Sequence, residues 1–166
     1  MNGNRLQQIY ESYSSEIYVY LYSLCRNRSL AEDLTQETFV KALLSLPEGH
    51  GNVRAWLYTV ARNLFFNHYR REPASVELDE LSEIADEAIG PEEALLKKLS
   101  SRRLYEAVLR LDARKREVIL LQYFSGFPQA EIASMLGITQ QNVRVLSHRA
   151  KKELKKYLEE NENEVL

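Results

Sequence analysis

One cysteine, four prolines, six glycines and one tryptophan are all that the 166 residues hold of those types. A single cysteine, Cys25, cannot close a disulfide within the chain and cannot build a cysteine-rich zinc site. Its apolar neighbours suit a small core residue. The few prolines and glycines stand mostly between periodic stretches, which favours an all-α chain. Long apolar runs are also missing. No stretch approaches the roughly 18 residues that a membrane span needs, and the start MNGNRLQQIYESY has no signal-peptide core. A cytoplasmic protein without membrane insertion is expected. The three histidines, His50, His68 and His148, show no metal-ligand spacing. There is no phosphate-binding glycine loop and no nucleophile elbow. No catalytic residue, metal site or cofactor is therefore expected.

Positive charge is missing from one region altogether. Residues 72–96 carry 9 Asp/Glu and no Lys or Arg, whereas residues 1–71 carry 8 Lys/Arg against 6 acids and residues 97–166 carry 14 against 9. Net charge is only −2, so a uniformly basic coat is excluded. The pattern is two more basic modules joined by an acidic strap, which suits a nucleic-acid binder whose linker lies elsewhere. The expected organisation is all-α, with two small helical domains at 1–71 and 95–166 and an acidic linker at 72–94. Within that linker, short helical turns are expected at Leu78–Ile84.

The most informative stretch runs from Phe127 to Tyr157. Ile132, Ala133 and Leu136 mark one helix face, and Gly137 can take the positive φ that ends the helix. Thr139 is a good N-cap for the next helix, in which Val143, Leu146, Ala150 and Leu154 recur at three- and four-residue spacing. This is the pattern of a helix-turn-helix. Gln140, Gln141, Asn142 and Arg144 occupy the first turns of the second helix and can pair with base edges in a major groove. Arg149, Lys151, Lys152, Lys155 and Lys156 suit phosphates. A solvated basic helix on an ordinary bundle is the alternative.

Earlier in the chain, Leu6, Ile9, Tyr13, Ile17, Tyr20, Leu21 and Leu24 give a helix from about Leu6 to Cys25. Ser29 and Glu32 form a capping-box pattern for a helix to about Leu46. In it Leu34, Phe39, Val40, Leu43 and Leu44 read as mostly core, and Asp33, Gln36, Glu37 and Lys41 as a polar strip. Asn52 can cap VRAWLYTVARNLFFNHYRR, whose buried stripe is Leu57, Val60, Ala61 and Leu64. Trp56, Tyr58, Phe65, Phe66 and Tyr69 alternate there with Arg54, Arg62, His68, Arg70 and Arg71. Rings that stack on bases beside cations that hold a backbone serve single-stranded nucleic acid. Core aromatics with solubilising arginines are the other reading. After the acidic region, helix resumes near Pro91 through Leu95, Leu99, Leu104, Val108 and Leu111. Asp112 can cap a further helix with Val118, Ile119, Leu121 and Tyr123 inward. A frayed tail is expected from Glu159.

Three blocks in this order resemble the extracytoplasmic-function, or group IV, sigma factors of bacterial RNA polymerase. They are AEDLTQETFVKAL (Ala31–Leu43), Val53–Arg71, and Glu117–Leu154, and the resemblance spans roughly Ile9 to Tyr157. It implies that Asp33, Leu34, Gln36, Glu37, Phe39, Val40 and Lys41 form the helix that binds core polymerase, with Leu34 and Phe39 as its packing. It implies that Asn52, Arg54, Trp56, Tyr58, Arg62, Asn63 and Arg70 meet the promoter −10 element and capture an unpaired base. Thr139, Gln140, Gln141, Asn142, Arg144, Val145, His148, Arg149 and Lys152 would meet the −35 element. Core RNA polymerase and promoter DNA are the implied partners, together with an anti-sigma protein, in many relatives membrane-anchored. A stand-alone helix-turn-helix regulator is the alternative function. The chain departs from the family pattern at Pro128, where relatives often have Ser or Thr. It departs again after Val143, where the apolar position moves from Ser147 to Leu146 and implies a slight rotation of the recognition helix.

Overall fold

A computed structural model describes residues 3–72 and 102–165. The chain divides into two compact units, with the boundary between Glu92 and Glu93. Among the described residues the elements are seven α-helices and one π-helical turn, with no strand. The expected linker beyond Glu72, its turns at Leu78–Ile84, and Pro91, Leu95 and Leu99 lie outside the described residues.

The first unit is α1 (Gly3–Cys25), α2 (Arg28–Ser45) and α3 (Val53–Arg71), each packed on the other two. Because α1 has two neighbours, it buries more than one stripe. Val19 and Tyr22 join Ile9, Ile17, Tyr20, Leu21 and Leu24 in the interior. Cys25 is fully buried, and its thiol donates to the Asn27 carbonyl at 3.3 Å. Arg26 then takes a left-handed conformation, φ 52°, with its N–H on the Tyr22 carbonyl at 2.7 Å.

That turn sets the start of α2 and overturns the expected capping box. Asn27 follows in extended geometry, and its side-chain oxygen accepts the Leu30 N–H at 3.1 Å. Ser29 already lies in the first turn. Asn52 caps α3 as expected, accepting the Ala55 N–H at 3.0 Å.

A second correction concerns the face of α2. Val40, Leu43 and Leu44, expected in the core, are 53%, 45% and 76% exposed. The buried face is instead Leu30, Ala31, Leu34, Thr35, Thr38, Phe39 and Ala42. Thr35 and Thr38 can face inward because their hydroxyls donate to the carbonyls of Ala31 and Leu34 at 2.6 and 2.7 Å. Two satisfied threonines take the interior positions, and the apolar residues at 40, 43 and 44 fall on another flank.

The second unit holds α4 (Arg102–Arg110), α5 (Ala113–Ile119), a π-helical turn (Leu120–Phe124), α6 (Gln129–Leu136) and α7 (Gln140–Val165). Asp112 caps α5 by accepting the Lys115 N–H at 3.0 Å. Buried Arg116 closes the α4–α5 turn with bonds to the Leu109 and Leu111 carbonyls, each 3.1 Å. Val108, Leu111, Val118, Leu121 and Phe127 lie in the core with Ile132, Val143 and Ala150.

Tyr123, expected inward, points out. In the π-helical turn the Ser125 N–H reaches back five residues to the Leu120 carbonyl at 2.8 Å. The extra residue per turn rotates Tyr123 out of the interior while Phe124 and Phe127 enter it. The tail from Glu159, expected to fray, is assigned as helix as far as Val165. Arg103 donates to the Leu158 carbonyl at 3.1 Å, and Arg110 lies 4.0 Å over the Tyr157 ring.

Candidate nucleic-acid interface

The α6–α7 corner is built by its turn. Gly137 ends α6 at φ 66°, a left-handed position that suits glycine. Thr139 then accepts the Asn142 N–H at 3.0 Å and starts α7. The inner face of α7 is Val143, Ser147, Ala150 and Leu154, whereas Leu146 is only half-buried. The expected shift of the apolar position to Leu146, and the helix rotation it implied, are therefore corrected. Ser147 is small enough to sit at the helix crossing, and its hydroxyl is buried without a hydrogen-bond partner.

The opposite face is open. Thr139, Gln140, Gln141, Asn142, Arg144, His148, Arg149 and Lys152 are all exposed, and Val145 is half-buried among them. Arg144 donates to the Gln141 side chain at 3.2 Å. The amide thus holds the guanidinium along the helix, with donors left for a base edge or a phosphate.

On α3, Arg62, Asn63, Phe66, Asn67 and Arg70 line a cleft of about 420 Å³. The Arg62 guanidinium lies 4.6 Å over the Phe66 ring. Asn67 accepts from the Arg70 guanidinium through its side chain and from Arg71 Nε through its backbone carbonyl. Arg62, Asn63 and Arg70 are brought together here. Phe66, one of the rings named from the sequence, and Asn67, which was not, complete the cleft, and 62, 63, 66, 67 and 70 form one helical stripe.

The remaining residues expected at the −10 element do not join that cleft. Tyr58 is 1% exposed, packs against Tyr20 at 4.9 Å and donates its hydroxyl to Glu16 at 2.9 Å. Its expected DNA contact is corrected: it is a core residue of the α1–α3 junction. Arg54 gives its Nε to the same Glu16 oxygen at 2.6 Å. Asn52 caps the helix, and Trp56 is half-buried.

The third surface is on α2. Asp33, Gln36, Glu37, Val40 and Lys41 are exposed. Leu34 and Phe39 are buried, Phe39 edge-on to Tyr10 at 5.1 Å, so they hold the helix in place instead of meeting a partner. Leu43 and Leu44 extend the open face beyond the residues singled out from sequence. Among the described residues no helix is long and apolar enough to cross a membrane, and no cluster could hold a metal ion.

Two family models match the chain in the order of these surfaces. Sigma-70 region 2 covers residues 9–74, and Sigma-70 region 4 covers 101–154. The RNA polymerase sigma factor YlaC of Bacillus subtilis is 34% identical, over 96% of this chain and 95% of its own length. The ECF RNA polymerase sigma factor BldN of Streptomyces coelicolor is 32% identical, over 91% of this chain and 59% of its own. The chain belongs to the extracytoplasmic-function sigma factors. Such a sigma factor is an RNA polymerase subunit for transcription initiation and not an enzyme in its own right. Among solved structures, the sigma factor RpoE in complex with the anti-sigma factor NepR from Bartonella quintana superposes with a TM-score of 0.72. The two are 26% identical, over 92% of this sigma factor and 96% of RpoE. These relatives give the stand-alone regulator no support.

Proposed function

We propose that this sigma factor divides its work among the three surfaces, with residues 1–71 as the polymerase-binding and −10 domain, 95–166 as the −35 domain and 72–94 as their linker. The α2 face around Gln36 and Glu37 docks on core polymerase, and exposed Val40 supplies apolar area beside the polar strip. The polar face of α7 enters the major groove of the −35 element. The α3 cleft receives an unpaired −10 base, with Phe66 to stack on it and Arg62 and Arg70 to hold its phosphates. Unstacking costs a few kcal/mol per step, and capture of the extruded base offsets it. Two modest contacts become specific once polymerase fixes their separation.

The observation that carries this reading is the α3 cleft: an aromatic ring, two arginines and two asparagines on one open helical stripe, in a different unit from the groove-reading helix. The chain itself catalyses nothing and works in the cytoplasm, where polymerase is. An anti-sigma protein is the expected inhibitor, a reading supported by the complex with the anti-sigma factor NepR in which RpoE was solved.

The test is run-off transcription with purified core polymerase on promoter DNA. Initiation well above that of core alone is expected, and initiation no better than core alone refutes the reading. Gln36→Ala with Glu37→Ala should weaken core binding while leaving the fold intact. Arg144→Ala should weaken −35 binding by about 1–3 kcal/mol if it reads a base, or weaken every sequence alike if it meets only phosphate.

A further inference from the structure

The π-helical turn aims one aromatic side chain at the recognition helix from outside. Tyr123 is 54% exposed, and the Lys151 ammonium lies 4.8 Å from the centre of its ring. Lys151 stands seven residues after Arg144 on α7. Seven residues are close to two full turns, so the two cations share one edge of the helix. His148 lies between them on the same side and is exposed. The edge therefore runs from Arg144, held by Gln141, to Lys151, held by the Tyr123 ring. A free lysine side chain loses much rotamer freedom when it meets a phosphate. A ring face that holds the ammonium in place removes part of that loss, and it leaves the N–H donors on the side away from the ring for a phosphate.

We propose that Tyr123 is a positioning residue for duplex DNA: through its ring it presents Lys151 to a phosphate beyond the last base pair that the helix-turn-helix reads. The inference rests on the −35 reading of α7 and adds a residue outside the helix-turn-helix to that surface. The ligand is the duplex backbone, so the contribution is independent of base sequence and sensitive to salt.

Holoenzyme is assembled from core polymerase and the full chain. Its dissociation constant is measured by fluorescence anisotropy, at several KCl concentrations. One probe is a duplex carrying the −35 sequence selected by the parent holoenzyme, and the other is an unrelated duplex. Tyr123→Ala should weaken both by about two- to fivefold. Tyr123→Phe, which keeps the ring face, should bind like the parent. Lys151→Ala should weaken both and lower the salt slope by about one. Adding Tyr123→Ala to Lys151→Ala should cost nothing more. Parent-like binding by Tyr123→Ala, a Phe variant as weak as the Ala variant, or full additivity in the double variant overturns the proposal. Arg144→Ala separates the two levels. If it weakens binding while Tyr123→Ala does not, only the role of Tyr123 falls. If neither has an effect, the −35 reading falls with it.

Discussion

Glu16 gathers two groups that the sequence assigned to DNA, and its removal should cost the first unit much of its stability. One carboxylate oxygen accepts from Arg54 Nε at 2.6 Å and from the Tyr58 hydroxyl at 2.9 Å. The Glu16 and Arg54 side chains are 18% and 29% exposed, and Tyr58 is buried. Hydrogen bonds to a charged group contribute about 1.5–3 kcal/mol each. The phenol bond lies in the dry part of the site and keeps most of that value. The guanidinium bond is partly screened by water and contributes about 1 kcal/mol. Glu16→Ala should therefore lose about 2–4 kcal/mol. Glu16→Gln, which keeps an acceptor but no charge, should lose about half of that, and Tyr58→Phe about 1.5–3 kcal/mol. Trp56 is the only tryptophan and lies on α3, so its fluorescence in a urea titration reports this unit. With a urea slope of about 1 kcal/mol/M for so small a unit, the Glu16→Ala midpoint falls by about 2 M or more. A loss under about 0.5 kcal/mol, or equal losses for the Gln and Ala variants, would refute the argument that the shared carboxylate joins α1 to α3.

The second unit should show two pH limits. The bond from the Lys115 backbone N–H, helped by the Lys115 ammonium and opposed by partial burial, holds the Asp112 carboxyl below its ordinary 3.8. Its contribution is present above that pH and is lost as pH falls through the lower folded value. Asp112→Asn, which keeps the cap acceptor, should flatten the acid limb of melting temperature against pH. Hydrogen bonds to Glu153 and Asp112 raise Lys115 above 10.5. Its contribution is complete below 10.5 and is lost as pH rises through the higher folded value, so Lys115→Met should flatten the alkaline limb. Ser147→Ala removes a buried hydroxyl with no partner and should stabilise the second unit by about 1 kcal/mol in a circular-dichroism melt, where a clear loss would count against it. Arg26→Gly should gain about 0.5–1 kcal/mol, because φ 52° is strained for arginine and free for glycine. A lower urea midpoint by Trp56 fluorescence would contradict that.

The helices themselves were legible because their punctuation is local. Asn52, Asp112 and Thr139 each cap the helix that follows, and Gly137 ends α6, through a side chain or a backbone freedom that a short window of sequence displays. What was illegible depends on neighbours. Nothing near Ser29 reveals that Arg26 accepts a left-handed turn and passes the cap to Asn27. The π-helical turn is likewise a tertiary choice, and it alone turns Tyr123 outward. Glu16 reads as one more polar residue on α1 until α3 is packed against it, 38 residues away in sequence from Arg54. The α3 cleft lay in between. Its stripe was countable from the sequence, but mixed aromatics and arginines hid which rings face in, and Tyr58 and Phe65 took interior positions in place of Val60 and Leu64.

The errors on α2 have a different cause, and it bears on function. Counting apolar residues assumes that each one is buried within its own chain. On α2 that rule fails in both directions at once: Thr35 and Thr38 are inside, while Val40, Leu43 and Leu44 are outside. Threonine can pay its own hydrogen-bond cost inside a helix, so the fold does not need the three aliphatic residues for its core. Each of them nevertheless leaves apolar area in water, at about 25 cal/mol per Å² relative to burial. Isolated exposed aliphatics are ordinary, but three within five positions on a helix that also carries the Gln36–Glu37 strip form a patch. Local rules are expected to break where a surface is kept for something other than folding. If the α2 face docks on polymerase, Leu43→Ser should weaken core binding and leave the urea midpoint of the free protein unchanged. A fall in the midpoint with core binding intact would place Leu43 in the fold's own packing after all.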